Sequence, residues 1–275
     1  MAYKRILTIQ DISCFGQCSL TVALPIISAC GIETAIIPSA VLSTHTGGFQ
    51  GFTVRDLSDD IPGIADHWER EGIRFDAFYT GYLGSIAQID YVIDIMNRLS
   101  RGDGLRIVDP AMADNGSLYP AFDDEYVDAM KRLVAVSDYV LPNITEACFL
   151  TGIEYRTTYD EAYIRRLLDA LVELGARNVV LTGVGYREGK TGVVSFVDGE
   201  YAYYEHRLIS KGCHGTGDVY ASAFVGMLVN GHSAYESSKV AADYTVRAIE
   251  LTQGDDDHWY GVKFELAFDE LLSKI

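Results

Sequence analysis

The chain has 275 residues, of which 48% are hydrophobic and 22% charged; Lys and Arg number 22 against 39 Asp and Glu, a formal net charge of −17. That length accommodates one large α/β domain with a substantial core, or two small ones. A field of that sign opposes long phosphate backbones, which excludes nucleic acid as an expected partner, and no apolar stretch approaches a membrane span.

Strands and helices alternate along the sequence. Arg5 to Ile9 reads as a short apolar strand, and Leu20 to Cys30 has helical periodicity up to the stop at Gly31. Thr34 to Pro38 is the next strand. Ser58 reads as the N-cap of a helix reaching about Gly72, with Ile61, Ile64, Ala65 and Trp68 on one face. A strand at 75–80, a helix at 85–99 and a strand at 105–109 follow, then a helix at 123–136 and a strand at 139–141 stopped by Pro142. Next come a helix at 161–174, a strand at 178–182 and a hairpin, 191–197 with 200–206, turning at Asp198-Gly199. Helices at 217–230 and 234–251 and a short one at about 263–273 close the chain.

This order predicts a single α/β domain over residues 1–275: a three-layer α/β/α sandwich whose mostly parallel sheet carries an antiparallel hairpin at one edge. No Pro- or Gly/Ser-rich linker and no internal repeat divides it. The five cysteines (14, 18, 30, 148 and 213) are odd in number and lack CxxC spacing, which predicts buried reduced thiols. Lys4-Arg5 leads only into a short apolar run ending at Gln10-Asp11, unlike a secretory leader, so a cytoplasmic protein is expected.

In such sheets ligands sit beyond the carboxyl ends of the strands. Polar strand ends occur at Gln10-Asp11, Gly81 to Ser85, Asp109-Pro110, Asn143 to Glu146 and Thr182-Gly183. Each has a bland explanation as well: a strand-end Asp is often a turn residue, and Asn143-x-x-Glu146 satisfies a capping box without any function. The most informative segment is Gly212-Cys213-His214-Gly215-Thr216-Gly217-Asp218, which opens an apolar helix. A helix's first amides and its macrodipole attract an anion, and glycines at 215 and 217 let one come close. An acid beside an anion cradle repels the ligand it would only bind. It makes sense if Asp218 takes a proton from a hydroxyl that attacks phosphorus while the amides hold the developing charge, as in a kinase for a small alcohol.

On these segments the chain resembles the ribokinase superfamily of small-molecule kinases, and within it the pyridoxal/pyridoxamine (vitamin B6) kinase family. Gly215-Thr216-Gly217-Asp218 matches the superfamily's GTGD motif, Asp109-Pro110-Ala111-Met112 its DPVMGD segment, and Asn143-Ile144-Thr145-Glu146 its PNxxE segment. Ser43 to Gly47 and Gly81 to Ser85 are similar to the B6 branch. The resemblance implies ATP as co-substrate, Mg²⁺, a small-molecule vitamer as acceptor and a homodimer, and leaves a monovalent-cation requirement open. By position, it implies Asp218 as base toward the 5′-hydroxymethyl group, with Gly215, Thr216 and Gly217 as the anion hole. It implies Asp109 and Glu146 on the metal side, mostly through water, and Thr182, Gly183 and Asn143 along ATP. Thr46 and Tyr82 would line the acceptor pocket. His45 would hydrogen-bond the acceptor or, equally, satisfy a loop carbonyl. Residues 114–124 resemble a flap over the phosphates, although Asn115-Gly116 also fits an ordinary turn.

The chain departs from the family pattern where Asp11-Ile12-Ser13 replaces a Ser-His pair, and where Ala113 replaces glycine. Asp11 could pair with a ring N–H⁺ or a substrate ammonium, or Ser13 could supply the usual hydroxyl. Hydroxymethylpyrimidine kinase is the rival within the class. A non-catalytic vitamer or nucleotide sensor would be expected to lose Asp218, Asp109 or Glu146, and a dinucleotide-dependent dehydrogenase would want GxGxxG where Asp11 to Gly16 stands.

Overall fold

The computed structural model describes residues 3–209 and 214–275; Gly212 and Cys213 of the segment above lie outside the described residues. Among the described residues the main sheet has nine strands. They are β1 (Arg5–Ser13), β2 (Glu33–Leu42), β3 (Val54–Asp56), β4 (Phe75–Thr80), β5 (Ser100–Val108), β8 (Tyr139–Val140), β9 (Asn178–Thr182), β10 (Lys190–Val197) and β11 (Glu200–Arg207). A separate hairpin joins β6 (Ala113–Asp114) to β7 (Ser117–Leu118). The order across the sheet is β11-β10-β9-β8-β5-β4-β1-β2-β3. Pairing is parallel from β9 through β2, and antiparallel at β9/β10, β10/β11 and β2/β3.

Period-two side-chain alternation divides the strands between two cores. In β9, Val179 and Leu181 face one core and Val180 the other. The first core is covered by α2 (Ile61–Arg70), α3 (Ile86–Arg98), α4 (Asp124–Ala135), α5 (Ile144–Thr151) and α6 (Glu161–Glu173). The second lies under α1 (Leu20–Ala29), α7 (Thr216–Val229), α8 (Ala234–Thr252), a 3-10 turn at Phe264–Ala267 and α9 (Phe268–Leu272). This is the expected three-layer α/β/α arrangement. Among the described residues no helix is long and apolar enough to cross a membrane.

Several boundaries differ from the sequence reading for local reasons. Helix α2 begins at Ile61 after Asp60, with a proline in its first turn, and Ser58 is not its cap. Proline's fixed φ suits that first turn, while the Ser58 hydroxyl accepts from Gln88 Nε2 at 2.9 Å. Strand β5 starts five residues early, at Ser100, where the β4/β5 register shifts between Phe75 and Ala77. The three exposed residues of β3 add an antiparallel edge that no hydrophobic pattern announces. Within the 114–124 segment Asn115 (φ 50°) and Gly116 (φ 78°) both adopt left-handed conformations, as a two-residue hairpin turn requires. Cys30 and Cys148 are buried free thiols as expected, but Cys14 is exposed and Cys18 is half-buried. Tyr201 and Tyr203 pack on one core and Tyr204 on the other, the alternation of a packed strand.

Candidate active site

The carboxyl ends of β1, β4, β5, β8 and β9 open onto one cavity of about 690 Å³, roofed by the start of α7. Every candidate residue named from the sequence lines it. Asp11 and Ser13 come from the end of β1, and Tyr82 from the segment after β4. Asp109 follows β5, Asn143 caps α5 and Glu146 lies in its first turn, while Thr182 and Gly183 end β9.

Helix α7 is capped at its N-terminus by Gly215, whose φ of +73° lies in the left-handed region, and an added Cβ there would overlap the Gln17 carbonyl. Only a glycine fits. Gly217 is a different case: its φ is not left-handed and a Cβ would meet nothing within 4 Å, so its contribution is open space rather than backbone freedom. The first intrahelical bond runs from Val219 N–H to Gly215 C=O at 3.0 Å. The helix therefore offers no acceptor of its own to the amides of Gly217 and Asp218. Asp218 lies in this first turn. Burial pushes its carboxyl up to about 7; the Ser19 backbone N–H partly offsets this and the Asp11 charge adds to it. A carboxylate so poised suits proton abstraction near neutral pH.

Two further acids line the same cavity. Burial, with the negative charges of Glu146 and Asp218 beside it, holds the Asp109 carboxyl well above its usual range. Glu146 is 3% exposed and burial raises it to about 8, against the pull of amides that donate to it. Asn143 N–H reaches its Oε2 at 2.8 Å and Met112 N–H its Oε1 at 3.2 Å. The first of these bonds is half of a complete capping box with Asn143. Among the described residues no Lys or Arg forms an ion pair with Asp11, Asp109, Glu146 or Asp218. Crowded hard-oxygen donors without a cation fit Mg²⁺ chemically. Among the described residues no group of three His, Cys, Asp or Glu could hold a metal, so water and phosphate oxygens would have to complete the coordination.

At the β1 end Asp11 is 4% exposed and accepts from the Ser13 hydroxyl at 3.0 Å, so the two options read from the sequence are joined in one pair. Burial raises the Asp11 carboxyl, while Ser19 and Ser13 hydrogen bonds oppose the rise. Tyr82 is half-buried, its ring 5.5 Å from Phe122, which itself stacks on Tyr126 at 3.8 Å. Thr46 is exposed at the rim. His45 takes the bland option: its Nε2 bonds the Tyr260 carbonyl at 2.7 Å and its Nδ1 accepts from the Gly47 amide at 3.1 Å.

Sequence reasoning missed the far end of the cavity, where Ala242, Thr245, Val246 and Ile249 form one face of α8 opposite Thr191 to Val193 of β10. Their i, i+3, i+4, i+7 spacing is visible in the sequence, but it is the same as that of any core-facing stripe. His214 also lines the cavity, directly ahead of the helix start.

The sequence profile of the phosphomethylpyrimidine kinase family matches residues 25–261. A hydroxymethylpyrimidine/phosphomethylpyrimidine kinase of Bacillus subtilis is 29% identical over 90% of this chain and 83% of its own length. Among solved structures, a protein assigned as a phosphomethylpyrimidine kinase from Bacteroides thetaiotaomicron, crystallised with pyridoxal, is 34% identical. It superposes with a TM-score of 0.92 over 98% of this chain and 96% of that one. Pyridoxal kinase from Lactobacillus plantarum is 32% identical, with a TM-score of 0.91 over 98% and 97%. A profile match over most of the chain, on a fold shared almost end to end with these enzymes, leaves one assignment: the chain belongs to the phosphomethylpyrimidine kinase family of ribokinase-like kinases.

Proposed function

We propose that the protein is an ATP- and Mg²⁺-dependent kinase that phosphorylates the 5′-hydroxymethyl group of a vitamin B6 vitamer. The observation that carries this reading is the position of Asp218: in the amide-bearing first turn of α7, on the wall of a cavity that Asp11, Ser13, Asp109 and Glu146 also line. The Asp218 carboxylate removes the hydroxymethyl proton as the oxygen attacks the γ-phosphorus of ATP. The new O–P bond forms, the bond to the bridging oxygen breaks, and ADP leaves with the electron pair. The amides of Gly215, Thr216 and Gly217 face the equatorial oxygens and hold their charge. Asp109 and Glu146 would hold Mg²⁺ largely through water, and the ion would neutralise phosphate oxygens that the acids themselves repel. Asn143, Thr182 and Gly183 run along the nucleotide's phosphates. Tyr82 packs on the acceptor ring, and Asp11, oriented by Ser13, takes a hydrogen bond from a protonated ring nitrogen or an amino substituent.

A vitamer is supported by the pyridoxal-bound relative and by the Lactobacillus pyridoxal kinase, both matched over nearly the whole chain. The family profile and the Bacillus relative favour the second reading, a hydroxymethylpyrimidine kinase, which has the same leaving group and the same attacking hydroxymethyl. A sensor without turnover is disfavoured because Asp218 and Asp109 are both in place around the cavity. The deciding measurement is kcat/KM for pyridoxal, pyridoxamine, pyridoxine and hydroxymethylpyrimidine under one set of conditions. A higher value for the pyrimidine than for every vitamer rejects the B6 assignment.

A further inference from the structure

The loop between α8 and the 3-10 turn folds back against the end of the cavity that holds Asp11 and Tyr82. A carbonyl can only accept and an amide N–H only donate, so the Tyr260 and Gly47 bonds fix His45 as the neutral Nε2–H tautomer. Both ring nitrogens are then engaged by backbone, and the residue is 5% exposed. No hydrogen bond remains for an acceptor molecule. What His45 does instead is join two loops that are more than two hundred residues apart in sequence.

Aromatic packing makes the same connection a second time. Trp259 lies 4.6 Å from the Phe49 ring and 6.4 Å from His214, and His45 lies 5.0 Å from Phe49 and 5.2 Å from His214. The approach is close enough that a Cβ on Gly48 would come within 2.8 Å of Trp259, and one on Gly47 within 2.6 Å of His214. Trp259 and Tyr260 do not line the cavity, whereas His45, Gly47 and His214 do. The loop therefore acts through the residues that form the wall.

We propose that the loop 254–261 is a positioning element for acceptor selection. Through the Tyr260–His45 bond and the Trp259–Phe49–His214 contacts, it sets the separation between the 45–47 wall and the head of α7. This inference rests on the preceding assignment of that end to the acceptor. A flat heteroaromatic ring needs a slot of its own thickness, and a misplacement of about 1 Å at such a wall can cost about 10²-fold.

The protein contains two tryptophans, and Trp68 belongs to α2 against the other core. Trp68→Phe therefore leaves Trp259 as the sole tryptophan reporter. Pyridoxal or hydroxymethylpyrimidine should change its emission on binding, and a non-hydrolysable ATP analogue alone should not. Trp259→Ala should raise the KM of the acceptor about tenfold and leave the KM of ATP within about twofold, because only one wall is displaced. His45→Ala should do the same and His45→Gln, which keeps a donor and an acceptor, should recover part of the loss. The proposal is overturned if Trp259→Ala raises both KM values equally or affects kcat alone, or if Trp259 emission ignores an acceptor that the enzyme turns over. If neither compound is phosphorylated while both still change the emission, the kinase assignment fails and the positioning role of the loop stands.

Discussion

The two ends of the cavity are built by different means. Around Asp11 the polar side chains are fastened to one another or to distant backbone: the Ser13 hydroxyl on the carboxylate, and His45 between Gly47 and Tyr260. Around Thr182 the fastening is mostly main chain, with Thr182 N–H on the Pro142 carbonyl at 2.9 Å and a parallel bridge between Asn143 and Thr182. A wall of interlocked side chains can be retuned by one substitution, whereas a wall of backbone keeps its shape through most of them. The first arrangement suits the partner that varies among relatives, the second the partner that all kinases share. Substitutions at the Asp11 end should then change which acceptor is used, and those near α7 and Glu146 should change the rate for every acceptor alike.

The largest test of that division is Asp218→Asn. Turnover should fall by about 10³-fold for every acceptor, the loss expected when a general base is removed; near-normal turnover would remove Asp218 from that role. The same variant should be more heat-stable than the parent at about pH 8. The sign follows from linkage: the folded-state value, about 7, lies above the ordinary carboxylate value. The stabilisation from proton binding is fully present below the unfolded value and is lost as pH rises through about 7. Above that, the charged carboxylate costs stability that asparagine does not.

Asp109→Asn should come next, lowering kcat by about 10²-fold and raising the Mg²⁺ concentration needed for half-maximal rate, as measured by initial rates over a metal titration. The loss should be the same for pyridoxal and hydroxymethylpyrimidine; a difference of more than a few-fold would break the division of labour. Asp11→Asn should act on the other side, raising the KM of the acceptor that offers it a cationic or amino donor by about tenfold, in line with a hydrogen bond to a charged group. The KM of ATP should not move. An effect of the same size is expected in the pH profile, where kcat/KM should drop about tenfold between about pH 8 and about pH 6 as Asp218 takes up a proton, given its value near 7. An unchanged rate over that range would assign the base elsewhere.

The layers and the order of most strands and helices were legible in the sequence because they depend on short-range signals, whereas the candidate residues around the cavity were reached through polar strand ends together with the family resemblance. Period-two and helical apolar patterns and the glycines at the head of α7 are all local. What was not legible depends on contacts between segments far apart. Three successive acids after Gly254 have the pattern of a solvated turn, yet Asp255 accepts from Lys263 Nζ at 2.6 Å and the aromatic residues beyond it pack on loops from the first fifth of the chain. Nothing within ten residues of Trp259 announces Phe49. Likewise β3 carries no alternation to read, since all three of its residues are exposed at an edge.

Glu146 faces the cavity, yet both of its carboxylate oxygens accept backbone amides, one of them from the residue that starts its own helix. Descendants that abandoned phosphorylation would still be held to an acid or its amide at this position by the helix it anchors. Its survival in a diverged copy would thus be a poor witness to retained chemistry. Asp218 gives the opposite testimony: a burdened charge with no scaffold duty of comparable size should drift to something neutral soon after selection for turnover lapses.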